Sequence, residues 1–265
     1  MSHILVVGAG WLGLPLTAAL TQAGHSVTAT RRSSDGLKAV AESGAIPLPL
    51  DLQQPIPALP QCDLMVLCLP PGRQPDAAPF HERLAPLFDA AAEAGISRVI
   101  FTSATSVYGS VRGRVDESAE LDGGERAARM LKVEQLLRAR FEQVTVLRLV
   151  GLVGGERHPG RFLAGKSGLL GAKDPVNLVH RDDVVSAILA LVEADLWGET
   201  FNLASPHHPG REAYYRYCAG RLGLAAPSFD SEHHQPRWVV GDKIVQALGW
   251  RYRHTDLYTL PELMR

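Results

Sequence analysis

The sequence predicts an α/β protein built on a doubly wound parallel sheet, with a small C-terminal lobe on the substrate side. Three observations carry this. A run of β-formers, Ile4-Leu5-Val6-Val7, empties into Gly8-Ala9-Gly10-Trp11-Leu12-Gly13 and then into a helical pattern. Strand-like and helix-like segments alternate from there to Leu203, the rhythm of β-α-β units. Several strands are continuous apolar runs, such as Leu64-Met65-Val66-Leu67-Cys68-Leu69. Strands of that kind are buried on both faces, under helices.

Taken in order, the strand at Ile4–Val7 leads into a helix over Leu12–Ala23. Its apolar face is Leu12, Leu16, Ala19, Leu20 and Ala23, and Gly24 stops it. The second strand is Ser26–Arg31, and a helix is expected over Gly36–Ser43. The third strand is Ile46–Leu50, where a proline-rich surface connection, Pro47–Pro60, begins. Then come a strand at Leu64–Leu69, a helix over Phe80–Ala94, a strand at Arg98–Thr102 and a helix over Arg126–Phe141. A strand at Thr145–Leu149, a helix over Arg181–Glu193 and a strand at Thr200–Leu203 complete the series. From Gly151 the alternation breaks into a glycine-rich stretch carrying His, Arg and Lys. Beyond Leu203 two short helices are expected, over Arg211–Leu222 and near Asp242–Leu248.

The opening strand, glycine turn and helix form a Rossmann pyrophosphate cradle made of Gly8, Gly10, Trp11, Leu12 and Gly13. Gly8 permits the turn, Gly10 lets a phosphate reach bare backbone, and Gly13 lets the helix lie close. The helix N-terminus then offers free N–H groups and a partial positive charge. A strand–helix turn without a ligand is the plain alternative. The second strand ends Thr30-Arg31-Arg32-Ser33, with no carboxylate before Asp35. An acid there would hold the ribose 2′-hydroxyl of NAD, whereas guanidiniums suit a 2′-phosphate. The expectation is therefore NADP(H) in preference to NAD(H), against the alternative of a solvated charged turn. Asp51 is placed to meet the adenine amino group, and Leu69 and Pro70 to line the adenine-ribose side. The expected division is a nucleotide-binding domain over 1–155 and 176–204, and the substrate-side lobe over 156–175 and 205–265.

Bulk properties exclude several classes. With 27 Lys and Arg against 28 Asp and Glu, mixed along the chain, there is no basic stripe for a nucleic acid. Cys62, Cys68 and Cys218 lack metal spacing and read as buried small hydrophobes of a reducing compartment. No apolar run is long enough to span a bilayer. The apolar N-terminus has no Lys or Arg ahead of it and is broken by glycines and a proline, unlike a secretory signal. A soluble cytoplasmic protein is expected.

Three further segments matter for chemistry: Phe101-Thr102-Ser103-Ala104-Thr105-Ser106-Val107-Tyr108-Gly109, then Arg148 to Gly155, then Val176 to Val184. With the glycine turn they resemble the extended short-chain dehydrogenase/reductase superfamily, of the nucleotide-sugar epimerase/dehydratase type. The resemblance covers about residues 3–204. Gly10-Trp11-Leu12-Gly13, Thr105-Ser106-Val107-Tyr108-Gly109 and Arg157-His158-Pro159-Gly160-Arg161-Phe162 are close to an atypical, YeeZ-like branch of NAD(P)-binding proteins. The superfamily transfers a proton with a Tyr-x-x-x-Lys pair and a Ser or Thr beside the reacting oxygen. Carried over, Lys132 matches the lysine, while the tyrosine falls on Ala128 and the hydroxyl on Ala104. The substitutes on offer are Thr105, Ser103 and Tyr108, with Thr102 at the strand end. Tyr108 would need a cation such as Lys132 or Arg129 to act, and a packing role is the preferred reading for it. The resemblance also implies homodimer contact through the helices at 80–94 and 126–141.

The remaining candidates are weaker. Arg157, His158 and Arg161 are either a cationic rim for an anionic ligand or a solvated loop. His180 reads as structural, with Asp182 or Asp183 capping the next helix. The neighbouring pairs His207-His208 and His233-His234 point apart, so no metal is expected. Two functions stand open. One is an NADP(H)-dependent oxidoreductase or epimerase acting on a small polar molecule such as a nucleotide sugar. The other is a non-catalytic protein that senses NADP(H), which the two alanines favour.

Overall fold

The computed structural model of the chain describes residues 1–72, 78–121, 124–230 and 234–264, without the side chain of Arg126. In chain order the elements are β1 (His3–Val7), α1 (Gly13–Gln22), β2 (Ser26–Arg31), α2 (Ser34–Glu42), β3 (Ile46–Pro49), β4 (Leu64–Leu67), α3 (Phe80–Glu93), β5 (Arg98–Ala104), β6 (Gly113–Val115), α4 (Glu125–Arg140), β7 (Gln143–Leu149), β8 (Gly151–Val153), α5 (Gly160–Leu163), β9 (Leu178–His180), α6 (Arg181–Glu193), β10 (Thr200–Leu203), α7 (Arg211–Arg221), β11 (Arg237–Val239) and α8 (Asp242–Leu248). Single 3-10 turns occupy Thr105–Tyr108, Leu257–Thr259 and Pro261–Leu263.

The doubly wound α/β sheet is as expected. Seven parallel strands run in the order β10-β7-β5-β4-β1-β2-β3. The winding reverses between β1 and β4, and the crevice outside the carboxyl ends of those two strands is where such folds take ligands. β1 and β4 are buried along almost their whole lengths, which is why they read as unbroken apolar runs. The edge strand β3 carries Pro47 and Pro49, which cannot donate to a further strand and so blunt the edge.

Differences from the expected boundaries have local causes. α2 starts at Ser34, two residues before Gly36, because the Ser33 hydroxyl caps it by accepting the Gly36 N–H at 3.2 Å. β4 stops at Leu67, although the Cys68 N–H still donates to the Val7 carbonyl at 2.9 Å. β5 runs on past Thr102 to Ala104, so Ser103 sits within the strand. Two small parallel pairs, β6 with β11 and β8 with β9, were not anticipated. At three residues each they are too short for an alternation to declare itself.

The chain divides into two compact units. The first comprises 1–109, 122–148 and 188–200, and the second 110–121, 149–187 and 201–265. The second unit has its own core of Val153, Val176, Leu178, Tyr214, Cys218, Leu257, Leu260 and Leu263. Among the described residues, no helix is long and apolar enough to cross a membrane.

Candidate functional site

The glycine turn is built by β1 and β2. Gly8 has φ +92°, and its N–H donates to the Thr30 hydroxyl at 2.9 Å while the Ala9 N–H donates to the Thr30 carbonyl at 3.0 Å. A Cβ on Gly8 would stand 2.6 Å from Leu69 Cδ2, and one on Gly13 would run into the Gly8 carbonyl oxygen. Both glycines are therefore required by the turn itself. Gly10 differs. A Cβ there would meet nothing nearer than Arg31 Nη1 at 3.5 Å. Packing leaves that face open, as a backbone approached by a ligand must be. α1 begins just beyond, with no capping side chain and no acid in its first turn. Its amides are thus available to an anion. Trp11 is half-buried and Leu12 buried.

Arg31 runs from the end of β2 across the start of α2. A Cβ on Gly36 would collide with its Nε, while its Nη1 reaches towards Gly10. One guanidinium thus links the glycine turn to a helix N-terminus, and Arg32 beside it is exposed. Asp35 pairs only loosely with Lys38 at 3.8 Å on the surface. Asp51 accepts the Gln53 N–H at 3.1 Å, Leu69 packs on Gly8, and Pro70 is exposed. A dinucleotide fits these residues: an open amide turn for the pyrophosphate, and a cation where an acid would select the bare ribose.

The end of β5 is arranged otherwise. The Ser103 hydroxyl donates to Glu134 Oε1 at 2.7 Å. Arg148 donates to both Glu134 oxygens, from Nη2 at 2.9 Å and Nε at 3.3 Å, and its Nη1 donates to the Tyr108 hydroxyl at 3.1 Å. All four side chains are at least nine-tenths buried. Burial pulls the Arg148 guanidinium down, but the bonds to Glu134 and Tyr108 outweigh it and hold it above its ordinary value. The Thr102 hydroxyl donates to the Leu67 carbonyl at 3.0 Å. The cation beside Tyr108 is thus Arg148. Arg129 pairs with Glu125 at 2.9 Å on the surface.

Lys132 does not join this group. It is exposed, and at two residues from Glu134 it lies about 200° around the helix. Ala128, one turn earlier, shares its side of α4 and is half-buried, as is Ala104. The face of α4 turned inward carries Ala127, Met130, Val133, Glu134 and Leu137. Thr105, which opens the 3-10 turn, is buried at 8% exposure. Of the four proton-handling candidates, the fold brings Ser103 and Tyr108 together and keeps Lys132 away from them. Glu134 and Arg148 escaped the sequence reading. Their signals were an acid on the apolar face of a helix and an arginine inside the strand Val146-Leu147-Arg148-Leu149.

The NAD(P)H-binding family matches residues 8–195. Protein YeeZ of Escherichia coli (strain K12) is 35% identical over 98% of this chain and 99% of its own. The chain belongs to the NAD(P)H-binding family, in its YeeZ-like branch. Among solved structures, a functionally unknown conserved protein from Silicibacter pomeroyi DSS superimposes with a TM-score of 0.78 at 23% identity, over 97% of this chain and 95% of the other. UDP-glucuronic acid 4-epimerase from Bacillus cereus in complex with NAD gives 0.75 at 17% identity, over 95% and 94%. These two show the shared fold, that of the epimerase/dehydratase-like short-chain dehydrogenases/reductases.

In this NAD(P)H-binding chain the second unit holds the remaining candidates. The capping residue of α6 is His180, not Asp182 or Asp183: its Nδ1 accepts the Asp182 N–H at 3.2 Å. Its Nε2 faces Glu262 at 3.3 Å. Asp183 is fully buried and accepts the N–H groups of Arg253 and His254 at 2.7 and 3.2 Å. Burial pushes its carboxyl up, against the pull of those bonds. His158 is not on a rim. It is 93% buried, and its Nδ1 accepts the Gly160 N–H at 2.9 Å, leaving Arg157 and Arg161 as the exposed cations of that loop. His207 pairs with Asp256 at 2.8 Å and His234 with Asp174 at 2.6 Å, while His208 Nδ1 meets the Val176 carbonyl at 3.0 Å. Each pins a loop, and His233 lies outside the described residues. His180, Asp182 and His254 bring ligand-type atoms within 4.8 Å. The His180 and His254 rings stack at 3.9 Å, however, and the Nδ1 lone pair already serves the helix cap.

Proposed function

We propose that the chain binds NADP(H) in preference to NAD(H), as a nucleotide-responsive protein without the proton relay of its superfamily. The observation that carries this reading is the course of Arg31, which reaches from the start of α2 to the open face of Gly10. The amides of Gly8 to Gly13 would take the pyrophosphate, and Arg31 with Arg32 the 2′-phosphate. Asp51 and Leu69 would border the adenosine.

Against ordinary carbonyl chemistry stand Ala104 and Ala128, which have no proton to give. Ser103 and Tyr108 spend their hydroxyls on Glu134 and Arg148. The Bacillus cereus relative is an epimerase in complex with NAD. A nucleotide-sugar substrate here would ask these same residues to remove an alcohol proton. Thr105, next to Ala104 on the 3-10 turn, keeps a second reading open: an NADP(H)-dependent oxidoreductase in which that hydroxyl holds the reacting oxygen. When bound, the nucleotide would supply or accept a hydride.

Titration of the purified chain with both reduced nucleotides tests the first statement. NADPH is expected to bind at least tenfold more tightly, and equal or tighter binding of NADH refutes the preference. Incubation of NADPH with a panel of aldehydes, ketones and nucleotide sugars tests the second. Turnover that disappears in Thr105→Val would move the conclusion to the oxidoreductase.

A further inference from the structure

The buried group of Ser103, Glu134, Arg148 and Tyr108 raises a question that stability does not answer. A buried ion pair is a poor device for stability, because desolvating two charges consumes most of their attraction; its best-attested use is to fix one arrangement among several. α4 could settle in several. Its apolar side is broad, with Leu131 and Leu136 half-buried beside the fully covered Val133 and Leu137. Glu134 selects one rotation, because its two oxygens must meet Arg148 from β7 and Ser103 from β5 together.

A contiguous set of contacts leads from this pair to the glycine turn. Ser103 is followed back along β5 by Thr102, whose hydroxyl donates to the Leu67 carbonyl at the end of β4. The next N–H, that of Cys68, donates to the Val7 carbonyl at the end of β1. Leu69 then packs on the α-carbon of Gly8, leaving no room for a methyl group. Every link lies in the first unit.

We propose that Glu134 and Arg148 are positioning residues for the nucleotide, bracing the carboxyl ends of β5 and β4 so that Leu69 holds Gly8 in its turn. They touch no ligand. They act through Ser103, Thr102 and Leu69 on the shape of the amide cradle. This rests on nucleotide binding at that cradle.

The test separates position from stability. In the double variant E134L/R148M both charges leave together, so the fold keeps a packed interior, and such replacements are commonly neutral or stabilising. NADPH affinity is measured by calorimetry well below the melting temperature, so that only folded protein is titrated. The expected result is a melting temperature at or above that of E134L alone, with NADPH binding weakened at least tenfold. Affinity within twofold of the parent chain overturns the proposal. Should the double variant not fold, S103A serves instead. It removes one bond and leaves the ion pair, and a threefold or greater loss of NADPH affinity with an unchanged melting temperature is expected. Unchanged affinity in S103A overturns the proposal equally. If the parent chain itself shows no heat with NADPH, it is the nucleotide reading that falls.

Discussion

The glycine turn and the end of β5 sit side by side at the carboxyl edge of one sheet, yet they have been treated in opposite ways. At the turn, the polar groups face outward. The first amides of α1 have no side-chain cap, Gly10 shows bare backbone, and Arg31 extends across the opening. At the end of β5, the polar groups face one another. Ser103, Tyr108, Glu134 and Arg148 satisfy each other in the interior, and the superfamily's reactive positions hold alanines. Binding and proton transfer are thus separable parts of the fold. A buried network can grow where a proton relay stood, provided each member finds a partner.

The largest expected effect breaks the turn by two routes that should differ. Gly13→Ala drives a methyl group into the Gly8 carbonyl oxygen, which as backbone cannot step aside. A loss of about 3 kcal/mol in urea unfolding, together with loss of nucleotide binding, is expected. Gly10→Ala meets only the far end of Arg31 at 3.5 Å. It should leave unfolding within about 0.5 kcal/mol of the parent while abolishing NADPH binding. A Gly10→Ala chain that binds normally would show that no ligand uses this face.

Next comes the other side of the comparison. Glu134→Ala strands the buried Arg148 guanidinium and should cost about 3–5 kcal/mol, read as a shift of the urea midpoint with unchanged slope. Arg138, which approaches Glu134 at 3.6 Å from the surface, cannot replace it. A cost below about 1 kcal/mol would mean that water reaches the pair.

Arg31→Ala sharpens the contrast from the binding side. Loss of charge-assisted bonds to a 2′-phosphate is worth about 1.5–3 kcal/mol, or roughly tenfold to a hundredfold in NADPH affinity. NADH affinity should stay within twofold, since NADH has no group at that position. Equal losses for both nucleotides would place Arg31 over the pyrophosphate instead.

Much of this was legible beforehand, and the limits are physical. The cradle is local: strand, turn and helix are consecutive, so Gly8, Gly10 and Gly13 announce themselves by spacing. The parallel sheet is nearly as plain, because burial on both faces leaves runs such as Leu64–Leu67. The β5 network is not local. Glu134 and Arg148 are fourteen positions apart and meet only when α4 packs on the sheet. Matching by a Tyr-x-x-x-Lys spacing set Lys132 beside the reactive strand, whereas the helical period turns it about 200° from the residue that touches Ser103. His180 as a cap was hidden for another reason. Asp and Ser are the usual caps, and an imidazole takes that part only when its other nitrogen is held, here by Glu262.

The smallest expected effect asks whether Tyr108 is an idle acid or a strut. Its hydroxyl accepts from Arg148 Nη1 at 3.1 Å, and the guanidinium carbon lies 5.1 Å from the ring centroid. Tyr108→Phe keeps the ring and the cation–π contact, and removes one bond from a guanidinium whose two bonds to Glu134 persist. The expected loss is about 1 kcal/mol in urea unfolding, with no change in any nucleotide-dependent turnover. If Tyr108→Phe instead left stability untouched and removed a measurable activity, the hydroxyl would be handling a proton. The two neighbouring regions would then be joint parts of one catalytic site.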